Sequence, residues 1–396
     1  MTKHQSFPGS GRYFLSIDGL RLIASINIVL FHFENIGGFN DLGGAPAWFF
    51  RIIKGPAFHA TIFFILGGFI FASKFLPKVD EFKTWPFLRK RFSELYPLHL
   101  ITTAAMMIIF LVRMPWENLS IVKFIFSGFM HLSLLYSLFP FFSYTFNTPS
   151  WAISAFFLCY LLFGLMLKFT ARLNERKSTF ALLLLCFVPI VLWSFLYGKA
   201  GSTVEWYNFF HFFAPIRLFE FAAGMLLARF FMLGKHKRGP LYTGIIYDIL
   251  IAACTYAIYM INILQAPDGG LLKYLGYHIF LTPFYCFILY LLACERGFIS
   301  KILSFSVIRN TGRSSFYPYL IHIPMISAIT YLCEHFLNYN RLLHSPLNVA
   351  IIVIILYGGS YLYVNFVRKR SRPPTKGEAK AMRATIKKQQ SEAIPG

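Results

Sequence analysis

The stretch SIDGLRLIASINIVLFH, residues 16–32, decides how this chain is read. It is apolar enough to enter a membrane, yet it carries Asp18, Arg21, Asn27 and His32. Ionisable side chains inside a bilayer are costly and mark functional positions by default. In an α-helix, residues three, four, seven or eleven apart share a face. Asp18 and Arg21 can therefore pair, and Arg21 and His32 lie on one stripe, about 16 Å apart along the axis. Asn27 falls on another face. A snorkelling arginine and a hydrogen-bonded histidine would explain either residue alone. Asp18, Arg21 and His32 on one face favour a functional role.

The rest of the chain fits that setting. Of 396 residues, 57% are hydrophobic and 14% charged, and phenylalanine occurs 47 times. Mean hydropathy is +0.57. A soluble domain averages about 45–50% apolar and about 25% charged, so the expected class is an all-α polytopic membrane protein. The net charge is +22, but the basic residues cluster between apolar runs, as cytoplasmic loops of such proteins do. That distribution argues against a nucleic-acid partner. The six cysteines sit in or beside apolar runs with no CxxC pair and no metal-ligand spacing, so they read as small buried hydrophobes and no metal site is expected. Arg21 interrupts the first run and no small-x-small site follows it, so an uncleaved first helix is expected rather than a signal peptide.

Apolar runs lie near 17–36, 57–76, 95–112, 121–142, 150–168, 179–197, 210–232, 244–264, 274–294, 314–336 and 347–366. Basic connections are 1–12, 74–91, 168–177, 233–238, 296–313 and the tail after Arg368. If 121–142 crosses the membrane, the later basic loops land on the outside. If it does not, every basic segment falls inside, so the positive-inside rule favours about ten spanning helices. Segment 121–142, with Ser127-Gly128, His131 and Pro140, is then re-entrant or interfacial. The expected organisation is a membrane domain over 1–367 and a basic, solvated tail over 368–396 that touches anionic lipid. Both termini are expected to be cytoplasmic, in the inner (plasma) membrane.

Asp18-Gly19-Leu20-Arg21 followed by Arg21-x10-His32 resembles the opening of the acyltransferase 3 family, polytopic acyltransferases of cell-surface glycans. FFILGGF at 63–69 resembles its Phe-Phe-x-Leu-Ser-Gly-Phe, with Gly67 for the usual Ser; Gly67-Gly68 also allows close helix approach. FLRKRFSELYPLH at 87–99 resembles its basic Arg-x-x-Arg segment, with Glu94 at the second Arg. SSFYPYLIHIP at 314–324 is similar to its late Ser-Tyr-x-x-Tyr-Leu-x-His-x-Pro helix and places Tyr319 and His322 at i, i+3. RLFEFAAGMLL at 217–227 carries an Arg217–Glu220 pair. PSWAISAFFLCYLL at 149–162 resembles a Trp-Ser-Leu-x-x-Glu segment, but Ala152 replaces Ser and Phe156 stands where Glu is usual. The resemblance covers residues 12–366 and fits the members without an appended hydrolase-like domain.

The resemblance implies transfer of an acetyl or other short acyl group from cytoplasmic acyl-CoA, acetyl-CoA in the first instance, to a hydroxyl of a surface or lipid-linked carbohydrate. No cofactor is implied; acyl-CoA is a substrate. His32 is expected to deprotonate the acceptor or carry the acyl group. Arg21 would hold a CoA phosphate or the thioester oxygen, with Asp18 orienting it. Arg89, Lys90 and Arg91 suit the donor's phosphates and equally suit an orienting basic cluster. His59 reads first as an interfacial histidine and second as a partner of His32 or a residue lining the acceptor side. Glu220, Arg217, Tyr319 and His322 are supporting residues, His322 being read as a buried histidine bonded to Tyr319. The alternatives are a succinyltransferase of the same family and, outside enzymes, a polytopic transporter of a solute or glycan precursor, against which no repeated halves are visible.

Overall fold

The computed structural model describes residues 14–37, 57–113, 120–139, 145–200, 211–234, 242–263, 281–336 and 345–368, and these are helical with no strand. The helices are α1 Leu15–Gly37, α2 Ala57–Phe75, α3 Thr84–Arg113, α4 Ile121–Leu132, α5 Trp151–Ala171, α6 Glu175–Ala200 and α7 Ala214–Leu233. They continue with α8 Tyr242–Ile263, α9 Leu281–Ala293, α10 Gly297–Leu303, α11 Ser306–Ser314, α12 Phe316–Phe336 and α13 Pro346–Leu362. Short 3₁₀ turns at Leu76–Glu81, Tyr136–Leu138 and Thr148–Ser150 join some of them.

Among the described residues, seven helices are long and apolar enough to cross a membrane: α1, α2, α3, α5, α8, α12 and α13. The other three expected spans fall on α6, α7 and α9. α7 is 20 residues long but holds Arg217, Glu220 and Arg229, and α9 has 13 described residues. Outward-facing apolar stripes mark the lipid-facing sides. On α5, Leu161, Leu165 and Phe169 are 59%, 72% and 64% exposed at four-residue spacing, a pattern that a water-facing helix would reverse.

Segment 121–142 is not one long helix. α4 has 12 residues, about 18 Å of rise against a hydrocarbon core of about 30 Å. Its buried face is Ser127, Gly128, Met130 and His131, while Ile121, Val122, Ile125 and Phe129 are exposed. Leu134 then takes a φ of 58°, and the chain turns into the Tyr136 3₁₀ turn. Residues 140–142 of the segment lie outside the described residues.

The centre of the bundle is the α2–α7 pair, the most extensive helix contact, with α5 and α6 packed on α7. Its closeness comes from glycine. A Cβ on Gly68 would collide with the carbonyl oxygen of Phe221, and one on Gly224 with that of Ile65, so the backbones touch as small residues allow. α1 packs along α11 and α12. α1 and α12 run parallel: Ser25 Oγ donates to the Ser315 carbonyl at 3.3 Å, and seven residues on along both helices His32 meets His322. The start of α1 shares one end of the bundle with the ends of α5, α7 and α9. Leu15 N–H donates to Glu295 after α9 at 2.9 Å, Phe14 meets Phe231 of α7 at 5.4 Å, and Arg229 of α7 donates to the Leu173 carbonyl after α5 at 3.0 Å.

Candidate active site

The Asp-Gly-Leu-Arg stretch is explained by what lies against it. A Cβ on Gly19 would collide with the Leu303 carbonyl of α10, and one on Gly312 of α11 with the Asp18 carbonyl. Two glycines thus seat the first turn of α1 on α10 and α11. Ser16 Oγ adds a hydrogen bond to the Leu292 carbonyl at 2.9 Å. Asp18 as a residue is 6% exposed, and two guanidiniums converge on its carboxylate. Arg21 Nη1 lies 3.5 Å from Oδ1, the expected i, i+3 pair. Arg313 Nε donates to Oδ2 at 2.9 Å, a contact that sequence spacing does not give.

At the other end of the stripe, His32 faces a second histidine. His32 Nδ1 and His322 Nε2 are 3.1 Å apart. His322 Nδ1 lies 3.0 Å from the Pro318 carbonyl, and His32 Nδ1 lies 2.9 Å from the Ile28 carbonyl. A carbonyl only accepts, so each Nδ1 carries its ring's proton. His322 Nε2 then holds a lone pair and accepts a shared hydrogen bond from His32 Nδ1–H. The assignment leaves His32 Nε2 as an unprotonated nitrogen, engaged by no hydrogen bond among the described residues, on a ring that is not fully buried. A ring nitrogen left open while a partner orients the far side is the arrangement that nucleophilic and acid–base sites share.

The Tyr319 hydroxyl does not bond the His322 ring as expected. The Tyr319 hydroxyl donates to the Pro149 carbonyl at 2.8 Å, and its ring stands 6.2 Å from that of His322 and 6.0 Å from that of Phe63. Tyr319 thus ties α12 to the start of α5. His59 lies in the first turn of α2, and its side chain is outside the described residues.

A second buried polar group sits where α2, α5 and α7 meet. Arg217 Nη1 donates to Glu220 Oε1 at 2.6 Å, and Thr61 Oγ1 donates to the same oxygen at 3.0 Å. Arg217 and Thr61 are 0% exposed and Glu220 3%, so this pair is internal, as the i, i+3 spacing predicts. The Arg217 guanidinium lies over the Trp151 ring at 5.8 Å, and His211 stands 5.2 Å from the same ring. Phe156, at the position where Glu is usual in the family, stacks on Phe64 with centroids 4.3 Å apart. The buried acid of this region therefore comes from α7.

The basic segment divides by role. Arg91 turns inward, its guanidinium 5.1 Å from the Phe71 ring and 2.9 Å from Glu94; the Glu that replaces the second motif Arg is its partner. Arg21 and Arg91 both lie within electrostatic reach of Tyr160, which places them at the same end. Arg89 and Lys90 are exposed. Among the described residues no group of three His, Cys, Asp or Glu side chains could hold a metal ion.

Spacing could not have found Thr61, Trp151, His211 and Arg313. The signal for Arg313 was its place after Gly312, in a short basic segment leading into the Tyr319–His322 helix. Comparison with known proteins gives the chain its family. The chain is 27% identical over 259 residues to Acyltransferase MdmB of Streptomyces mycarofaciens, a match covering 61% of this chain and 63% of that relative. The chain thus spans less than two thirds of the relative's length. No solved structure matches it. The family model described as an acyltransferase domain matches residues 14–364, nearly all that is described; the chain belongs to the acyltransferase 3 family.

Proposed function

We propose that this protein is a membrane O-acyltransferase in which His32 Nε2 is the general base. The observation that carries the reading is the His32–His322 contact at 3.1 Å, with both Nδ1 protons committed to backbone carbonyls. The acceptor hydroxyl gives its proton to His32 Nε2 as its oxygen attacks the thioester carbon. The tetrahedral oxyanion collapses, the thiolate leaves, and His32 returns the proton to the thiolate. His322 accepts from the Nδ1–H throughout and so holds the ring in place while it is an imidazolium. A base in this role contributes roughly 10²–10⁴-fold.

The donor is acyl-CoA, acetyl-CoA in the first instance, entering at the end where Arg21, Arg89, Lys90 and Arg91 gather. Arg21 lies about 16 Å from His32 along α1, so a long flexible thioester arm is needed to connect them. The acceptor is a hydroxyl of a surface or lipid-linked carbohydrate, in keeping with the family. The chain crosses the inner membrane ten times, with α6, α7 and α9 completing the count and both termini cytoplasmic. The grouping of the ends of α5, α7 and α9 beside the start of α1 supports this topology.

The test is mass analysis of surface glycans from cells with the gene, without it, and with His32→Ala or Arg21→Ala. A one-acyl mass difference that both variants abolish at normal protein abundance is expected. Full modification in both would remove the site.

A further inference from the structure

We propose that Arg313 is a positioning residue that occupies Asp18 and thereby keeps Arg21 available to an anionic part of the acyl donor. This rests on the acyl-CoA reading above. On α1 alone, Asp18 and Arg21 form an i, i+3 pair that would neutralise the arginine. In the structure that pair is the looser of the two contacts on the Asp18 carboxylate. Arg313 Nε holds Oδ2 at 2.9 Å, while Arg21 Nη1 stays 3.5 Å from Oδ1, beyond the range of a good charge-assisted hydrogen bond.

The arrangement is built rather than a chance approach of long side chains. The glycine contacts at Gly19 and Gly312 fix the backbones of α1, α10 and α11 against one another, so Arg313 reaches Asp18 from a fixed base. The carboxylate is 8% exposed, whereas the Arg21 and Arg313 side chains are 28% and 44% exposed. The acid is therefore buried beneath two cations that still open outward. Arg21 makes no other side-chain bond among the described residues and shares its end of the bundle with Arg91. A guanidinium in this state is suited to bidentate phosphate or polarised carbonyl oxygen. The Asp18-Gly19-Leu20-Arg21 motif thus has a partner 295 positions from Asp18, at Arg313.

The test uses the full-length protein in nanodiscs, with the dissociation constant of CoA read by calorimetry and glycan acylation read in cells. Arg313→Gln should let Asp18 close on Arg21 and raise the Kd for CoA about tenfold, or ~1.4 kcal/mol. Adding Asp18→Asn removes the competing carboxylate, so the Asp18→Asn/Arg313→Gln double variant should return Kd to within about threefold of the parent and restore acylation, a near-complete compensation of coupled sites. Arg313→Lys, which keeps the charge, should bind CoA closer to the parent than Arg313→Gln does. A merely structural Arg313 would make the double variant as poor as Arg313→Gln or worse, and that result overturns the proposal. So does an unchanged Kd in Arg313→Gln when the parent binds CoA, which leaves the acyl-CoA reading intact. If the parent itself fails to bind CoA, the donor reading falls and takes this proposal with it. Thermal unfolding of each variant separates misfolding from loss of binding.

Discussion

Replacing His322 tests the site most directly, because the structure sets both the direction and the size of the effect. His322→Ala removes the acceptor 3.1 Å from His32 Nδ1 but leaves the Ile28 carbonyl at 2.9 Å. The reactive tautomer of His32 therefore survives. What is lost is one of two restraints on the ring and the packing of a side chain that is 0% exposed. Loss of a partner that orients a functional histidine costs about 10–100-fold, which is about 1.4–2.7 kcal/mol of barrier. Since the Ile28 bond persists, the loss should lie near the tenfold end. His32→Ala removes the base itself and should cost roughly 10²–10⁴-fold. His322→Gln, whose amide oxygen can accept from Nδ1–H, should fall between His322→Ala and the parent. The assay is the rate of acyl incorporation into surface glycan under matched expression, with membrane abundance and unfolding temperature as controls. Because His322 acts only through His32, the double variant should be no slower than His32→Ala, as for residues that act as a unit. If the two losses multiply, or if His322→Ala is fully active while folded, His322 does not orient the base and the reasoning fails.

Other variants probe the scaffold. Gly68→Ala forces a Cβ into the Phe221 carbonyl and should destabilise the detergent-solubilised protein by about 1–3 kcal/mol, whereas Gly358→Ala, with nothing within 4 Å of its Cβ, should be neutral or gain up to about 1 kcal/mol from helix propensity; thermal unfolding compares them. Glu220→Ala leaves Arg217 buried without the carboxylate 2.6 Å away and should cost about 3–5 kcal/mol, read as loss of folded yield. Tyr357→Phe deletes the 2.7 Å contact with Ser25 and should cost about 1 kcal/mol by the same melt. Breaking Arg113–Glu334, whose side chains are 34% and 38% exposed, should change stability by no more than about 1 kcal/mol.

Local geometry was legible in the sequence and long-range meetings were not. The 3.6-residue period fixes which side chains share a face, so Asp18–Arg21 and Arg217–Glu220 follow from spacing, and paired glycines at 67–68 signal a close helix contact. The composition announces the membrane through apolar runs. The site itself, however, is assembled by contacts such as His32–His322, separated by 290 positions, and Asp18–Arg313, separated by 295. No periodicity reaches that far. The same limit explains Tyr319: an i, i+3 relation shows that it can reach His322, but its hydroxyl goes to a carbonyl 170 positions away. Polar groups in a nonpolar medium go wherever an unsatisfied backbone group is presented, and that is a property of the packed bundle.

The parallel run of α1 and α12 carries a constraint on how the whole chain is threaded. A chain that crosses a sheet of lipid reverses direction each time, so two helices pointing the same way must have an odd number of traverses between them. In the ten-span topology proposed above, α2, α3, α5, α6, α7, α8 and α9 would supply seven. An eighth traverse at α4 would turn α12 around, and the Ser25–Ser315 and His32–His322 contacts could not both be made in their present order. The meeting of the two histidines therefore acts as a parity check on that proposed topology, in which α4 stops short of the far side.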